Sequence, residues 1–136
     1  MVAIRASLIE SLPAVAEVIP TLRHEIVDFA RAVGVEETRL DDVRLAVSEA
    51  ISNVVLHAYA DKPGNVHVTA RVVENELWIL VADDGRGHNA TPTHPGLGWG
   101  LAFITDAADE FALVQRAAGG TEARMVFRLS PGATAA

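Results

Sequence analysis

The chain has 136 residues, half of them hydrophobic and about a fifth charged, which fits one folded domain and argues against disorder. Its net charge is −7 with Lys62 as the only lysine, whereas a nucleic-acid binder needs a basic face for the phosphate backbone. Cysteine is absent, which excludes disulfides and thiolate metal sites. No apolar run approaches the roughly 20 residues of a membrane helix and no signal-peptide pattern opens the chain, so we expect a soluble, cytoplasmic protein that binds neither nucleic acid nor membrane.

The first half of the chain is predicted to be mainly helical. Residues 2–7 alternate weakly between apolar and polar, as an edge strand does. From Pro13 to Val33 apolar residues recur at helical spacing, and Pro20 within this run predicts a kink or a restart. Gly34 is the expected end of this helix. A second helix with its own apolar stripe is predicted from about Thr38 to Tyr59.

The second half is predicted to hold most of the sheet. Alternating apolar residues predict strands at 66–72, 76–83, 110–115 and 121–129. A third helix is predicted at about 97–107, after a loop rich in glycine, proline and threonine. Because helices and strands are segregated in blocks, we expect an α+β architecture in which helices cover one face of a mixed, mostly antiparallel sheet. One domain is expected over residues 1–130, followed by a flexible tail at 131–136.

A polar stripe lies on the second predicted helix. Glu49, Asn53 and His57 are four residues apart, so they should share one helix face between apolar neighbours. Glu49 has the chemistry of a general base, and the amide oxygen of Asn53 is a hard ligand of the kind that magnesium prefers. The alternative is an ordinary solvated face, and the spacing taken alone favours that alternative.

An acidic, glycine-containing segment ends the strand at 76–83. Asp83 has the same parity as the inward-facing apolar residues of that strand, so its carboxylate points inward and needs a hydrogen-bond donor. An adenine amino group is one candidate donor, and Gly85 and Gly87 allow the backbone to turn and to approach a flat base closely. The alternative is an Asx turn that ends the strand. Asp84 is expected to face the other way, toward solvent.

Two further glycine-rich segments come later in the chain. Gly96, Gly98 and Gly100 lie at the start of the third predicted helix, where free backbone N–H groups can face phosphate oxygens. A tightly packed junction between loop and helix is the alternative. Thr121 follows a glycine pair at the start of the last strand, where it is placed either to hydrogen-bond near the base of a nucleotide or to begin the strand after a hairpin turn.

Taken together and in this order, these segments resemble the motifs of the anti-sigma-factor serine kinases. The run from Leu45 to Asn53, continued by His57-Ala58-Tyr59, is similar to the N box of that family. Similar to its glycine boxes and its final box are, in order, Asp83-x-Gly85-x-Gly87, Gly96-Leu97-Gly98 and Gly120-Thr121. The resemblance covers roughly residues 12 to 129.

The resemblance implies a two-layer α/β sandwich, the Bergerat fold, that holds ATP and Mg²⁺ between its helices and its sheet. It implies that Asn53 binds the magnesium ion and that Asp83 binds the adenine amino group. Glu49 would be the base that activates a serine hydroxyl on a protein substrate. The remaining nucleotide contacts would come from Gly85, Gly87, Gly96, Gly98, Gly100 and Thr121.

The resemblance also implies partners. Relatives hold a sigma factor inactive or phosphorylate a small antagonist domain of the STAS type, and the two partners compete for the same protein. Arg23 lies about where the family places an arginine that contacts partners, although a solvated helix arginine fits the sequence equally well. A homodimer is allowed, since apolar helix positions such as Val15 and Ile19 would be available for it.

One departure from the family pattern favours a second interpretation. The loop between Gly87 and Gly96, which should close over ATP, is short and holds His88 and His94 but no lysine or arginine. These two histidines have no third ligand near them, so a metal site is not expected there. The alternative function is a nucleotide-sensing, protein-binding module, or a phosphatase activator, of the same fold without kinase activity. A histidine-kinase catalytic domain is disfavoured because the chain has no room for a dimerising helical hairpin.

Overall fold

The computed structural model describes residues 7–60, 62–85 and 95–129 and, within them, the backbone alone of residues 95–100. In these ranges the elements are, in chain order, β1 (Ser7–Pro13), α1 (Val18–Val33), α2 (Glu37–Asn53), a π-helical turn (Val54–Ala58), β2 (Asn65–Val73), β3 (Glu76–Asp83), α3 (Pro95–Ala107), β4 (Glu110–Gln115) and β5 (Thr121–Arg128). The succession of helices and strands is the predicted one, with shifts at several boundaries.

The N-terminal elements differ most from prediction. The described edge strand occupies Ser7–Pro13, and residues 2–6 of the strand predicted at 2–7 lie outside the described ranges. Because the strand continues to Pro13, α1 begins only at Val18, and Pro20 is its third residue. The N–H that a proline lacks would have no helical partner in the first turn, so Pro20 does not restart the helix and the predicted restart is wrong. Gly34 ends α1 in the left-handed conformation with φ 107°, as predicted.

The second predicted helix has two parts. It is α-helical over Glu37–Asn53 and continues as a single π-helical turn over Val54–Ala58. A π turn bonds residue i to i+5 instead of i+4. The four-residue spacing that places Glu49 and Asn53 on one face therefore does not carry on to His57. Single π turns inside helices occur frequently at functional sites.

The described strands form one sheet in the order β1-β2-β3-β5-β4, and each neighbouring pair is antiparallel. The α+β prediction is confirmed, while the parallel pair that a mixed sheet would include is not found among the described strands. The connection between β1 and β2 explains why these two strands are antiparallel. Since α1 and α2 together carry the chain along the sheet and back, β2 starts beside the end of β1, with Asn65 opposite Pro13.

One face of the sheet carries the core. Its inward residues include Val68, Ile79 and Met125, and the helices cover them with Ile26 and Val47; each of these five side chains is 0 % exposed. Most neighbouring residues on the same strands point to the opposite face and are exposed or half-buried, although Val126 and Ala82 on that face are buried. The molecule therefore has two layers, with the described helices packed on one side of the sheet.

Some expectations fall at the limits of the described residues. The last strand ends at Arg128, and the expected tail at 131–136 lies outside the described ranges. The loop at 86–94, with Gly87, His88 and His94, lies outside them as well. Within residues 7–60, 62–85 and 95–129, no helix has both the length and the apolar character that a membrane crossing requires.

Truncation of two neighbouring residues on β3 tests the one-sided core. Ile79 is 0 % exposed on the inward face, so Ile79→Ala should lower the free energy of unfolding by about 2–5 kcal/mol. Leu80 points to the other face and is half-buried, so Leu80→Ala should cost about 1–2 kcal/mol. Urea unfolding of both variants measures the difference. Equal losses would contradict a core confined to one face.

Candidate functional site

Three of the motif segments meet at the end of the sheet where β3 finishes. Asp83 is the last residue of β3, and Thr121 is the first residue of β5. The ladder between the two strands runs up to the pair Ala82 and Glu122, directly beside them. The π turn that follows α2 contacts β3, and α3 packs along α2. The antiparallel topology therefore brings together segments that are far apart in sequence.

Asp83 is the buried acid of the site, with 7 % of its surface exposed. The N–H of Gly85 donates to its Oδ1 at 2.9 Å, and the N–H of Thr121 donates to the same oxygen at 3.3 Å. No residue in the described ranges donates to Oδ2. Burial raises the pKa of Asp83 above its usual value, and the two backbone N–H groups oppose that rise. The carboxylate points inward as predicted and makes the Asx-turn contact that was the alternative to an adenine contact, while the adenine contact itself stays a prediction.

Two glycines let neighbouring backbone approach the Asp83 turn. A Cβ added to Gly85 would lie 2.0 Å from the carbonyl oxygen of Ala58, and one added to Gly120 would lie 2.0 Å from the carbonyl oxygen of Asp83. Residues 83–85 are therefore clamped between the π turn on one side and the turn between β4 and β5 on the other. Gly120 also has a φ of 88°, which favours glycine by itself.

Glu49 and Asn53 share the α-helical part of the second helix. They are one turn apart near its C-terminal end, and both are partly exposed. Neither side chain hydrogen-bonds to a residue in the described ranges. Because Ala58, five residues beyond Asn53, touches Gly85, this helix end and the Asp83 turn lie in one neighbourhood. Their predicted roles are untested by the geometry and stay predictions.

The glycines of the second box lie on the backbone of α3. This helix begins at Pro95, two residues before the predicted start, and so includes Gly96, Gly98 and Gly100 in its first two turns. Ile104 of this helix is 0 % exposed, so α3 packs into the core. Gly87 lies outside the described ranges, so its predicted place beside a base is neither supported nor opposed.

Arg23 links the first two helices. Its Nη1 donates to the hydroxyl oxygen of Ser48 at 3.4 Å, and the residue is partly buried. Ser48 directly precedes Glu49, so Arg23 lies beside the stripe that carries the predicted base. Of the two apolar positions named for a dimer, Val15 is 46 % exposed but lies before α1, and Ile19 is partly buried.

A polar network around Asp84 was missed at the sequence level. Asp84 is exposed, as expected, but its Oδ1 accepts from Arg116 Nη1 at 2.6 Å and its Oδ2 lies 2.5 Å from His67 Nε2. The contact with His67, and then that with Arg116, holds the pKa of Asp84 below its usual value. On the other side of the turn, the hydroxyl of Tyr59 accepts from the N–H of Asp84 at 2.9 Å and donates to the carbonyl of Asn65.

Part of this network could have been predicted from the sequence. The turn Glu74-Asn75 fixes the register of the hairpin between β2 and β3, which places His67 opposite Ala82 and hence diagonal to Asp84. Arg116 had no such signal, because its approach depends on β5 pairing with β3, a contact between strands that are not consecutive in the chain.

Comparison with known proteins agrees with this geometry. The profile of the family described as Histidine kinase-like ATPase domain matches residues 12–127, a span that includes every segment of the site. The chain belongs to this family.

Among the relatives of this ATPase domain are serine-protein kinases. The chain is 39 % identical to the serine-protein kinase RsbW of Bacillus licheniformis over 87 residues, which are 63 % of this chain and 54 % of that protein. It is 35 % identical over 74 residues to RsbW of Bacillus thuringiensis (strain Al Hakam), covering 54 % of this chain and 46 % of that one. The chain thus spans about half the length of the curated relatives it matches.

A solved structure also matches the ATPase domain. The crystal structure of the RsbU and RsbW domains of Rv1364c from Mycobacterium tuberculosis aligns with a TM-score of 0.73 and 26 % identity, over 93 % of this chain and 33 % of that one. Together with the RsbW sequences, it confirms the resemblance to serine kinases that the sequence motifs indicated.

The clamp on the Asp83 turn is testable with two adjacent glycines of this ATPase domain. Gly119→Ala adds a Cβ into open space at φ 106°, so it should cost only the backbone strain of about 1–2 kcal/mol. Gly120→Ala adds the same strain and a Cβ against the Asp83 carbonyl oxygen, which should bring the cost to about 2–4 kcal/mol. Urea unfolding compares the two, and equal costs would mean that the contact with Asp83 yields easily.

Proposed function

We propose that this chain binds ATP with Mg²⁺ and acts as an anti-sigma factor and serine-protein kinase that phosphorylates a STAS-type antagonist in a partner-switching system. The observation that carries the proposal is the carboxylate of Asp83, buried at the end of β3, with one oxygen bonded to backbone and the other without a donor among the described residues. The serine-protein kinase name of the RsbW relatives supports the kinase part.

The described residues fit an adenine base. Because Oδ1 of Asp83 is occupied by the N–H groups of Gly85 and Thr121, Oδ2 is the acceptor that remains for an exocyclic amino group. A buried carboxylate gains from such a donor, since an unsatisfied polar group in a dry site is costly. Guanine offers a carbonyl oxygen at the corresponding position, and an acceptor facing a carboxylate is unfavourable. The site therefore favours adenine over guanine.

The described residues also fit a magnesium ion that is held mainly by its nucleotide. No cluster of three or more His, Cys, Asp or Glu side chains occurs in the described ranges, so an all-protein cage is not found there. Magnesium commonly takes only one or two protein ligands and completes its shell with phosphate oxygens and water. The amide oxygen of Asn53 is the ligand that we assign to this chain.

Glu49 is the residue that we assign to proton transfer. The bound nucleotide supplies the phosphoryl group, and the chain has to position the substrate hydroxyl and receive its proton. Glu49 lies one helical turn before Asn53 on the same face, and no described side chain occupies its carboxylate. It is therefore free to accept the proton of a serine hydroxyl at one of its oxygens. Arg23, beside Ser48, is the residue that we assign to partner contact.

Asp83→Asn tests base recognition. The amide oxygen of the new side chain can still accept from Gly85 and Thr121, so the fold is retained, but an NH₂ donor then replaces Oδ2. ATP binding should weaken by about 100-fold, and the preference should shift toward GTP, whose base presents an acceptor there. Calorimetric titration of both nucleotides with magnesium measures the shift.

The pH dependence provides the control for that experiment. The carboxylate form of Asp83 binds the amino group, so ATP affinity of the wild type should be constant above the raised pKa of Asp83 and fall as the pH drops through it. Asp83→Asn removes the titrating group and should lack this fall. An ATP affinity in Asp83→Asn equal to that of the wild type would exclude Asp83 as the base contact.

Glu49→Gln tests the kinase assignment. The amide keeps the size of the side chain but is a very weak base, so ATP should still bind while phosphate transfer to a STAS-type domain falls by about 100- to 10,000-fold. Radiolabelled ATP and a panel of purified STAS-type domains provide the assay. The matched control is Glu37→Gln, an exposed glutamate on the same helix, which should transfer phosphate at the wild-type rate.

The possible results separate the two functions stated from the sequence. Undiminished transfer by Glu49→Gln would mean that another group receives the proton. Tight ATP binding by the wild type without transfer to any STAS-type domain would replace the kinase with the nucleotide-sensing, protein-binding module.

A further inference from the structure

Arg116 reaches the Asp83 turn from the far side of β5. It follows β4, and its Nη1 donates to the main-chain oxygen of Asp83 at 2.7 Å and to Oδ1 of Asp84 at 2.6 Å. Its own backbone is fixed by the turn, since its N–H bonds to the carbonyl of Gly120 and its carbonyl accepts from the N–H of Gly119, each at 3.0 Å. With 31 % of its side chain exposed, Arg116 is a fixed and partly shielded donor.

Asp84 holds Arg116 in this position and is itself held from behind. His67 Nε2 lies 2.5 Å from Asp84 Oδ2, and His67 Nδ1 lies 2.8 Å from the hydroxyl oxygen of Ser11 on the edge strand β1. Both oxygens of Asp84 are therefore engaged. A carboxylate that is bonded at both oxygens cannot rotate freely, and it fixes the direction of the guanidinium that it binds.

We propose that Arg116 is a positioning residue for base recognition, held in place by Asp84 and His67, and that it sets the preference of the site for adenine over guanine. The proposal rests on the proposed function, because it requires Asp83 to contact the base. Arg116 fixes the peptide that follows Asp83 from outside the site. The N–H groups of Gly85 and Thr121 fix Oδ1 from inside, and the two sets of bonds together leave Oδ2 pointing in one direction.

The direction of Oδ2 matters because hydrogen bonds weaken steeply when donor and acceptor are misaligned. Without the bond from Arg116 to its main-chain oxygen, the residue 83–84 peptide keeps only the bond from the Asp84 N–H to the Tyr59 hydroxyl, and Oδ2 is held less firmly toward the base. The contacts proposed for the magnesium ion and the phosphates come from Asn53 and the glycines of α3, not from this peptide. The loss should therefore appear in discrimination between bases and not in nucleotide binding as a whole.

Arg116→Met is the informative variant, since it removes the donors and keeps an unbranched side chain. Calorimetric titration with magnesium and ATP, and separately with magnesium and GTP, should give about tenfold weaker ATP binding and GTP binding within about twofold of the wild type. Arg116→Lys, which keeps a donor on a flexible stem, should recover part of the preference for ATP. These two variants separate positioning from a general loss of stability, which would weaken both nucleotides alike.

Arg124→Met is the matched control. Arg124 lies on β5 and forms a 2.6 Å ion pair with Glu122, but its described contacts do not include Asp83 or Asp84. This variant should bind ATP and GTP as the wild type does. A double-mutant cycle then tests the supporting role of Asp84. Asp84→Ala alone should reduce the ratio of ATP affinity to GTP affinity, and in the Arg116→Met background it should reduce that ratio no further.

An unchanged ATP-to-GTP ratio in Arg116→Met would overturn the proposal, even if both affinities fell. Should that variant not fold, Arg116→Lys and Asp84→Asn decide the question by the same ratio. Asp83→Ala distinguishes this failure from that of the proposed function. Loss of ATP binding in Asp83→Ala with a normal ratio in Arg116→Met would refute the positioning role alone, whereas a wild type that binds no ATP would refute both.

Discussion

A carboxylate buried at the end of a central strand is the constraint on which this end of the molecule depends. Asp83 is 7 % exposed, and a group of that kind is tolerated only where hydrogen-bond donors surround it. Its donors come from its own turn and from β5, and the arginine beyond β5 fixes its peptide. Three features therefore depend on one another: the register between β3 and β5, the close glycine contacts and the buried acid.

The sheet topology provides this arrangement without any long loop in the described ranges. Two helices between β1 and β2 return the chain to the end of the sheet where β1 finishes, and β4 returns it to that end after α3. The C-terminal end of the second helix, the turn between β4 and β5 and the last residue of β3 then lie together. The residues of the candidate site lie at the turns, while the strands and the inward helix faces supply the rigid support.

Much of the fold and part of the candidate site could be predicted because their signals are local. Alternation along β3 gave the inward direction of Asp83, and helical spacing placed Glu49 and Asn53 on one face. The start of α1 was wrong because apolar residues of a strand that ends at Pro13 and of the turn after it happen to continue a helical spacing. Arg116 could not be found, since its two acceptors lie on a strand that the sequence alone does not place beside its hairpin.

The opposite end of the sheet has a different character. There the chain passes between α1 and α2 at 34–36, between β2 and β3 at 74–75, and between α3 and β4 at 108–109, all short connections remote from the Asp83 turn. The exposed turn Glu74-Asn75 is a connection of the kind that tolerates insertions, whereas the other two contain the buried residues Val35 and Ala108. The domain can consequently accept inserted segments or whole modules at this end, and the nucleotide contacts proposed for the other end can stay unchanged.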